Sequence, residues 1–92
     1  MFDPKNGPGF AIAGNKGFQI TFANGWTASV QFGYGTYSAN RDNSSASFSP
    51  NAEVARWKGD AFMELLDNGD TVAGWLAPEQ VLAFLVETAA RG

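Results

Sequence analysis

The chain has 92 residues, of which 45% are hydrophobic and 14% aromatic, and it contains neither cysteine nor histidine. This length allows one domain, residues 1–92, with enough aromatic area for a small core. The missing residue types exclude disulfides, thiolate metal sites and the common nucleophile–base pairs, so we expect no enzyme, metal or cofactor. A net charge of −3 with scattered basic residues argues against nucleic acid as a partner.

No segment shows the basic start and apolar run of a signal peptide, and none approaches the ~20 apolar residues that span a bilayer. The longest apolar stretch runs only from Val81 to Val86. The sequence therefore predicts a cytoplasmic protein with no membrane partner.

Residues 1–16 are rich in Gly, Pro and Asn and predict turns, with one short strand over Phe10–Ala13. Residues 17–32 contain two runs of alternating apolar and polar residues around Asn24-Gly25, which predicts a central β-hairpin. A two-residue loop would pair apolar with polar side chains. A three-residue loop, 23–25, pairs apolar with apolar and polar with polar side chains, and it places Gly25 in the left-handed conformation. This register pairs Phe22 with Trp26, Ile20 with Ala28, Phe18 with Val30, and Thr21 with Thr27 on the solvent face.

Residues 33–50 form a long polar connection, and such loops in compact domains are usually functional or disordered. Residues 51–66 fit either one helix or two strands, Ala52–Trp57 and Ala61–Leu66, around Lys58-Gly59-Asp60. We favour the strands because a glycine inside a helix costs about 1 kcal/mol.

A short strand is expected over Thr71–Leu76, and Pro78 then begins a helix, 78–90. Helical geometry centres its buried face on Leu82, Leu85 and Ala89 and leaves Phe84 near the solvent side.

Two patterns resemble known sites only superficially. Asp60, Glu64, Asp67 and Asp70 are the densest acidic group, but they lack the ligand spacing of a calcium loop, so we interpret them mainly as a solvated turn. The run 16–22 is similar to an RNA-recognition signature, but Gln19 and Ile20 replace its small and stacking residues. We interpret it as a core strand.

Several aromatic residues stand in polar surroundings, including Trp75 near a turn. Tyr, Trp and Arg are the residue types that most often anchor interfaces. The candidate partner-binding residues are Tyr34, Tyr37, Arg41, Trp57 and Phe84.

The run Gly17–Gly33 (GFQITFANGWTASVQFG), with Ala52–Ala55 and Gly74–Val81, resembles a family of small uncharacterised proteins of phages and bacterial mobile elements. The resemblance spans about three quarters of the chain. It implies a phage context, in which small acidic proteins commonly bind and disable a host factor, and a location in the host cytoplasm.

Together these observations predict an α+β fold with an antiparallel sheet of four or five strands and one C-terminal helix packed on it. The expected function is a non-enzymatic protein-binding module, an inhibitor of a host defence complex such as a CRISPR effector. The alternatives are a protein that sequesters a nucleotide or signalling molecule beneath the 33–50 loop, or a weak single-stranded nucleic-acid binder. A homodimer sealed by Phe84 is a further alternative.

Overall fold

The computed structural model describes residues 7–14, 16–42 and 48–92. The remaining positions, which belong to the turn-rich segment and the polar loop, lie outside the described residues. The elements in chain order are β1 (Gly9–Ile12), β2 (Gly17–Thr21), β3 (Trp26–Gln31), β4 (Ala52–Lys58), β5 (Ala73–Leu76) and α1 (Pro78–Ala89).

The five strands form one antiparallel sheet in chain order, and α1 packs mainly over β3, β4 and β5. The α+β fold is therefore confirmed. Val30, Ala52 and Val54 are the buried centre of the core. Three helical side chains pack against this centre, namely Val81, Phe84 and Leu85. No helix in the described part of the chain is long and apolar enough to cross a membrane.

The β2–β3 hairpin has the predicted three-residue loop. The N–H of Phe22 donates to the carbonyl of Trp26 at 2.9 Å, and the N–H of Gly25 donates to the carbonyl of Phe22 at 3.0 Å. Phe18 pairs with Val30 and Ile20 with Ala28, as expected. Apolar pairing across the strands therefore determines the register.

Gly25 has a φ of 89°, which a β-branched residue adopts only with strain. A β-carbon added there would meet only the Cε atom of Lys58 at 4.0 Å, so the cost of substitution is conformational. Gly25→Val should lower the free energy of unfolding by more than about 1 kcal/mol, and Gly25→Asn should lower it less. Denaturant melts measure both, and equal, negligible losses would contradict the left-handed turn.

The polar face of the hairpin does not face solvent as expected. Thr21 and Thr27 are buried, and their hydroxyls hydrogen-bond each other at 2.8 Å. The register partner of Thr27 on β4 is Trp57, a buried indole on the same face. The solvent-face prediction was wrong because pairing within one hairpin carries no information about the next strand.

For residues 51–66, the first of the two predicted strands is confirmed and the second is wrong. β4 forms, but residues 61–66 are neither a strand nor a helix. β5 pairs with Ala52 and Val54 along the outer edge of β4, and farther along that edge the N–H of Glu64 donates to the carbonyl of Arg56 at 2.8 Å. The strand predicted over Ala61–Leu66 does not form because β5 occupies the first part of that edge, over Ala52–Val54, and the segment that follows the turn at Lys58-Gly59-Asp60 makes one isolated hydrogen bond there instead of a ladder.

The helix begins and ends close to the predicted residues, but its buried face is rotated. Leu82 is 62% exposed and Ala89 is also exposed, whereas Phe84 packs into the core and Thr88 is fully buried. The C-terminus of α1 is fixed by the tip of the hairpin. There the side-chain amide of Asn24 donates to the carbonyls of Thr88, Ala89 and Arg91.

Candidate functional site

Residues 33–42 of the polar loop form a compact, hydrogen-bonded unit. The buried hydroxyl of Ser38 contacts the Thr36 hydroxyl at 2.7 Å, donates to Asn40 Oδ1 at 2.9 Å and accepts from the N–H of Gly33 at 3.2 Å. The N–H of Gly35 donates to the carbonyl of Arg41 at 2.9 Å, which closes the loop on itself. Small hydroxyl and amide side chains thus serve as the interior of this loop.

The loop is anchored to the last two strands of the sheet. The N–H of Tyr37 donates to Glu53 Oε1 at 2.6 Å, and its carbonyl accepts from the N–H of Trp75 at 2.9 Å. Gly74 permits this approach, because a β-carbon at Gly74 would lie 2.4 Å from the β-carbon of Tyr37. The N–H of Ala39 adds a bond to Asn51 Oδ1 at 2.7 Å. Hydrogen bonds to β4 and to β5 therefore hold the loop in place.

Trp75 is the one residue other than glycine in the described ranges with a positive φ, at 60°. For a bulky residue this conformation is strained, and such strain is often found at functional sites. It accompanies an indole that is 51% exposed beside the loop. The sequence places Trp75 near a turn but does not select it, because only the folded loop brings it beside Tyr37.

The guanidinium of Arg41 lies against the rings of Tyr37 and Trp75. Its guanidinium carbon is 5.2 Å from the centre of the Tyr37 ring and 6.0 Å from that of Trp75, within range of a cation–π interaction. Tyr34 is exposed on the same loop. We call these four side chains the aromatic–arginine surface: Tyr34, Tyr37, Arg41 and Trp75. Three of them are among the residues selected from the sequence.

The other two selected residues, Trp57 and Phe84, are not on this surface. Trp57 is buried at the sheet, and Phe84 packs in the core beneath the guanidinium of Arg56, 4.6 Å from its ring centre. The solvent-side position expected for Phe84 was wrong because a buried arginine, which periodicity does not reveal, covers its ring. Neither side chain presents a contact surface in this fold.

Arg56 is buried under the helix and is paired on three sides. It donates to Glu64 Oε2 at 3.1 Å, to Glu87 Oε1 at 3.2 Å and to the Thr88 hydroxyl at 3.2 Å. Arg91 also binds Glu64. Partial burial raises the pKa of Glu64, but the hydrogen bonds and charges of Arg91 and Arg56 outweigh it and hold that pKa below its ordinary value of 4.5.

The acidic group of the sequence is divided between two structural roles. Glu64 belongs to the arginine network, whereas Asp70 is part of a turn in which its carboxylate accepts from the N–H of Thr71 at 2.6 Å. In residues 7–14, 16–42 and 48–92, no group of three or more acidic side chains is placed to hold a metal ion.

A cavity of about 240 Å³ opens between the sheet and the start of α1, next to the end of the polar loop. Its lining is mostly apolar and includes Val30, Phe32, Leu76 and Val81, without a cationic side chain. It is smaller than the roughly 300–1,000 Å³ usual for ligand pockets. Its chemistry does not match the phosphates of a nucleotide.

The aromatic–arginine surface offers three flat rings, two of them phenols, and a cation, a combination suited to recognition. These groups can bind a carboxylate and apolar groups together. Comparison of the chain with protein-family models, with curated proteins and with solved structures gave no match.

Proposed function

We propose that this chain is a non-enzymatic protein-binding module that contacts its partner through the aromatic–arginine surface. The observation that carries the proposal is the position of Arg41 beside two rings, Tyr37 and Trp75, that are 45% and 51% exposed. The anchored loop already holds these side chains in place, so binding would freeze few additional rotamers. A partner would present a carboxylate to Arg41 and apolar groups to the rings.

The resemblance to phage and mobile-element proteins supports a narrower form of this proposal. In that context the partner is a host protein or complex in the cytoplasm. The chain would act as an inhibitor of a host defence complex, for example a CRISPR effector. Affinity purification of host proteins, followed by an assay of the defence activity, tests this form separately from binding itself.

The two tyrosines test the binding surface. Tyr34→Ala with Tyr37→Ala should leave the melting temperature nearly unchanged, because both rings are largely exposed and Tyr37 is anchored through its backbone. The double variant should bind the captured partner at least tenfold more weakly, about 1.4 kcal/mol.

Phe62→Ala is the matched control, because Phe62 is an aromatic residue 80% exposed on the segment 61–66, away from the loop. Calorimetric titration of the three proteins with the partner measures the affinities. A partner that binds the double variant and the wild type equally would refute the proposed surface.

Nucleic-acid binding should be weak. Two of the basic residues, Arg56 and Arg91, are ion-paired with Glu64 and Glu87, which leaves few cations free to displace counterions. At about 150 mM salt we expect no binding of single-stranded DNA or RNA tighter than micromolar in fluorescence anisotropy. Salt-sensitive, sub-micromolar binding that Lys16→Glu abolishes would show that the chain is a nucleic-acid binder instead.

A further inference from the structure

The helix is mostly apolar on the side that faces away from its own sheet. At 100° per residue, the exposed side chains opposite the core are apolar except for Glu79 in the first turn; the apolar ones are Leu82, Ala83, Val86, Ala89 and Ala90. Leu82 and Val86 are 62% and 60% exposed. A helix that is apolar on both sides is normally covered on both sides.

On the helix side the sheet is also open at β1 and only half covered at β2. Phe10 and Ile12 pair with Ile20 and Phe18, and this register places them on the face where Val30 joins the core. They are nevertheless 76% and 85% exposed, because α1 lies mainly over β3, β4 and β5. The open strip is two strands, about 10 Å, wide, which matches the diameter of one helix.

These two apolar areas adjoin each other. Glu87 on α1 and Arg91 just beyond its end form ion pairs with Arg56 and Glu64 on the β4–β5 side. Because Leu82 lies on the opposite flank of α1, it points toward the β2 side. We call the combined area the open apolar surface: Phe10, Ile12, Leu82 and Val86.

Taking about 150–200 Å² for a fully exposed large side chain, the four exposed fractions amount to roughly 500 Å² per copy. A standard interface buries about 800 Å² per partner, so the four side chains and the alanines around them supply most of the required area.

We propose that a second copy of this chain covers the open apolar surface in a two-fold symmetric dimer. Each helix would lie on the open β1–β2 strip of the other copy, so that two helices are enclosed between two sheets. The surface supplies both halves of such a contact, a protruding apolar helix and a helix-wide gap, and a two-fold interface requires this self-complementarity. The aromatic–arginine surface, beside β5 at the opposite edge of the sheet, would stay free.

Sedimentation equilibrium of the full chain tests the dimer. The wild type should approach twice the chain mass of 9.8 kDa as its concentration rises. Leu82→Glu and Ile12→Glu should each raise the dissociation constant at least about 100-fold, while both remain folded because the two side chains are exposed. Phe62→Glu, at an equally exposed residue outside the open apolar surface, should stay dimeric. A wild type that is monomeric up to about 1 mM would overturn the proposal.

Cross-linking tests the arrangement, because the chain has no cysteine of its own. An equimolar mixture of Ile12→Cys and Val86→Cys chains should oxidise mainly to the mixed disulfide, since the proposed dimer places one residue against the other across copies. Products made only of Ile12→Cys chains would indicate pairing of two β1 edges and would overturn the helix-on-strip arrangement. A random distribution of products would overturn it too.

Discussion

Arg56→Ala is expected to lower the free energy of unfolding by about 3 kcal/mol, because it breaks a buried network of ion pairs. The guanidinium is buried, and its loss leaves Glu64 without one of its two arginines and opens a gap above Phe84. Arg56→Met should be less damaging, because it refills most of that volume without restoring the charge. Urea melts at neutral pH measure the free energy of unfolding of the wild type, Arg56→Ala and Arg56→Met.

Arg91→Ala is the matched control. Arg91 binds the same carboxylate of Glu64, but from a partly exposed position, so its loss should cost about 1 kcal/mol or less. Equal losses for Arg56→Ala and Arg91→Ala would contradict the central role of the buried guanidinium.

The ion pairs of Glu64 with Arg56 and Arg91 make the stability of the fold depend on pH. Because the pKa of Glu64 is lowered in the folded state, its contribution to stability is complete above its ordinary value of 4.5 and is lost as the pH falls through the lower, folded value. Wild-type stability should therefore fall more steeply below pH 4.5 than that of Glu64→Gln, which has no proton to gain there. Parallel pH profiles of the two proteins would contradict the pairing.

The hairpin shows what the sequence alone can predict. Its loop length followed from matching apolar side chains across the strands, and Phe18 and Ile20 lie opposite the expected partners. Which face of the helix is buried could not be predicted in this way. Apolar residues cover most of its circumference, so periodicity favoured Leu82 over Phe84, and the contacts of the buried Arg56 explain why Phe84 and Thr88 face inward.

The candidate site was partly predictable for a similar reason. Tyr34, Tyr37 and Arg41 were selected because their residue types are those that anchor interfaces. Trp75 joins them through the backbone bond between its N–H and the carbonyl of Tyr37, a long-range contact with no sequence pattern. Trp57 was selected on the same grounds, but the pairing of β4 with β3 buries it.

Gly74→Ala is expected to disturb fold and function together. The added β-carbon would lie 2.4 Å from the β-carbon and 3.0 Å from the carbonyl oxygen of Tyr37, so the loop must move away from β5. We expect a loss of about 1–3 kcal/mol in unfolding free energy. We also expect at least tenfold weaker binding of the partner, because the shift separates Arg41 and Tyr37 from Trp75.

Gly25→Val is the control for Gly74→Ala, because it should destabilise the chain by a similar amount from the hairpin turn, where no loop contact is affected. Calorimetry on the folded fraction of each variant separates the two effects. Partner binding that is unchanged in Gly74→Ala, or weakened equally in both variants, would show that the docking of the loop on β5 does not organise the surface.

Hydrogen–deuterium exchange of the chain with and without its captured partner tests the aromatic–arginine surface most directly. The backbone N–H groups of residues 34–41 and of Trp75 should exchange more slowly in the complex, while those of β1 stay unchanged. Exchange that slows only at β1 and α1, or only along residues 61–70, would place the partner elsewhere and contradict the proposed site.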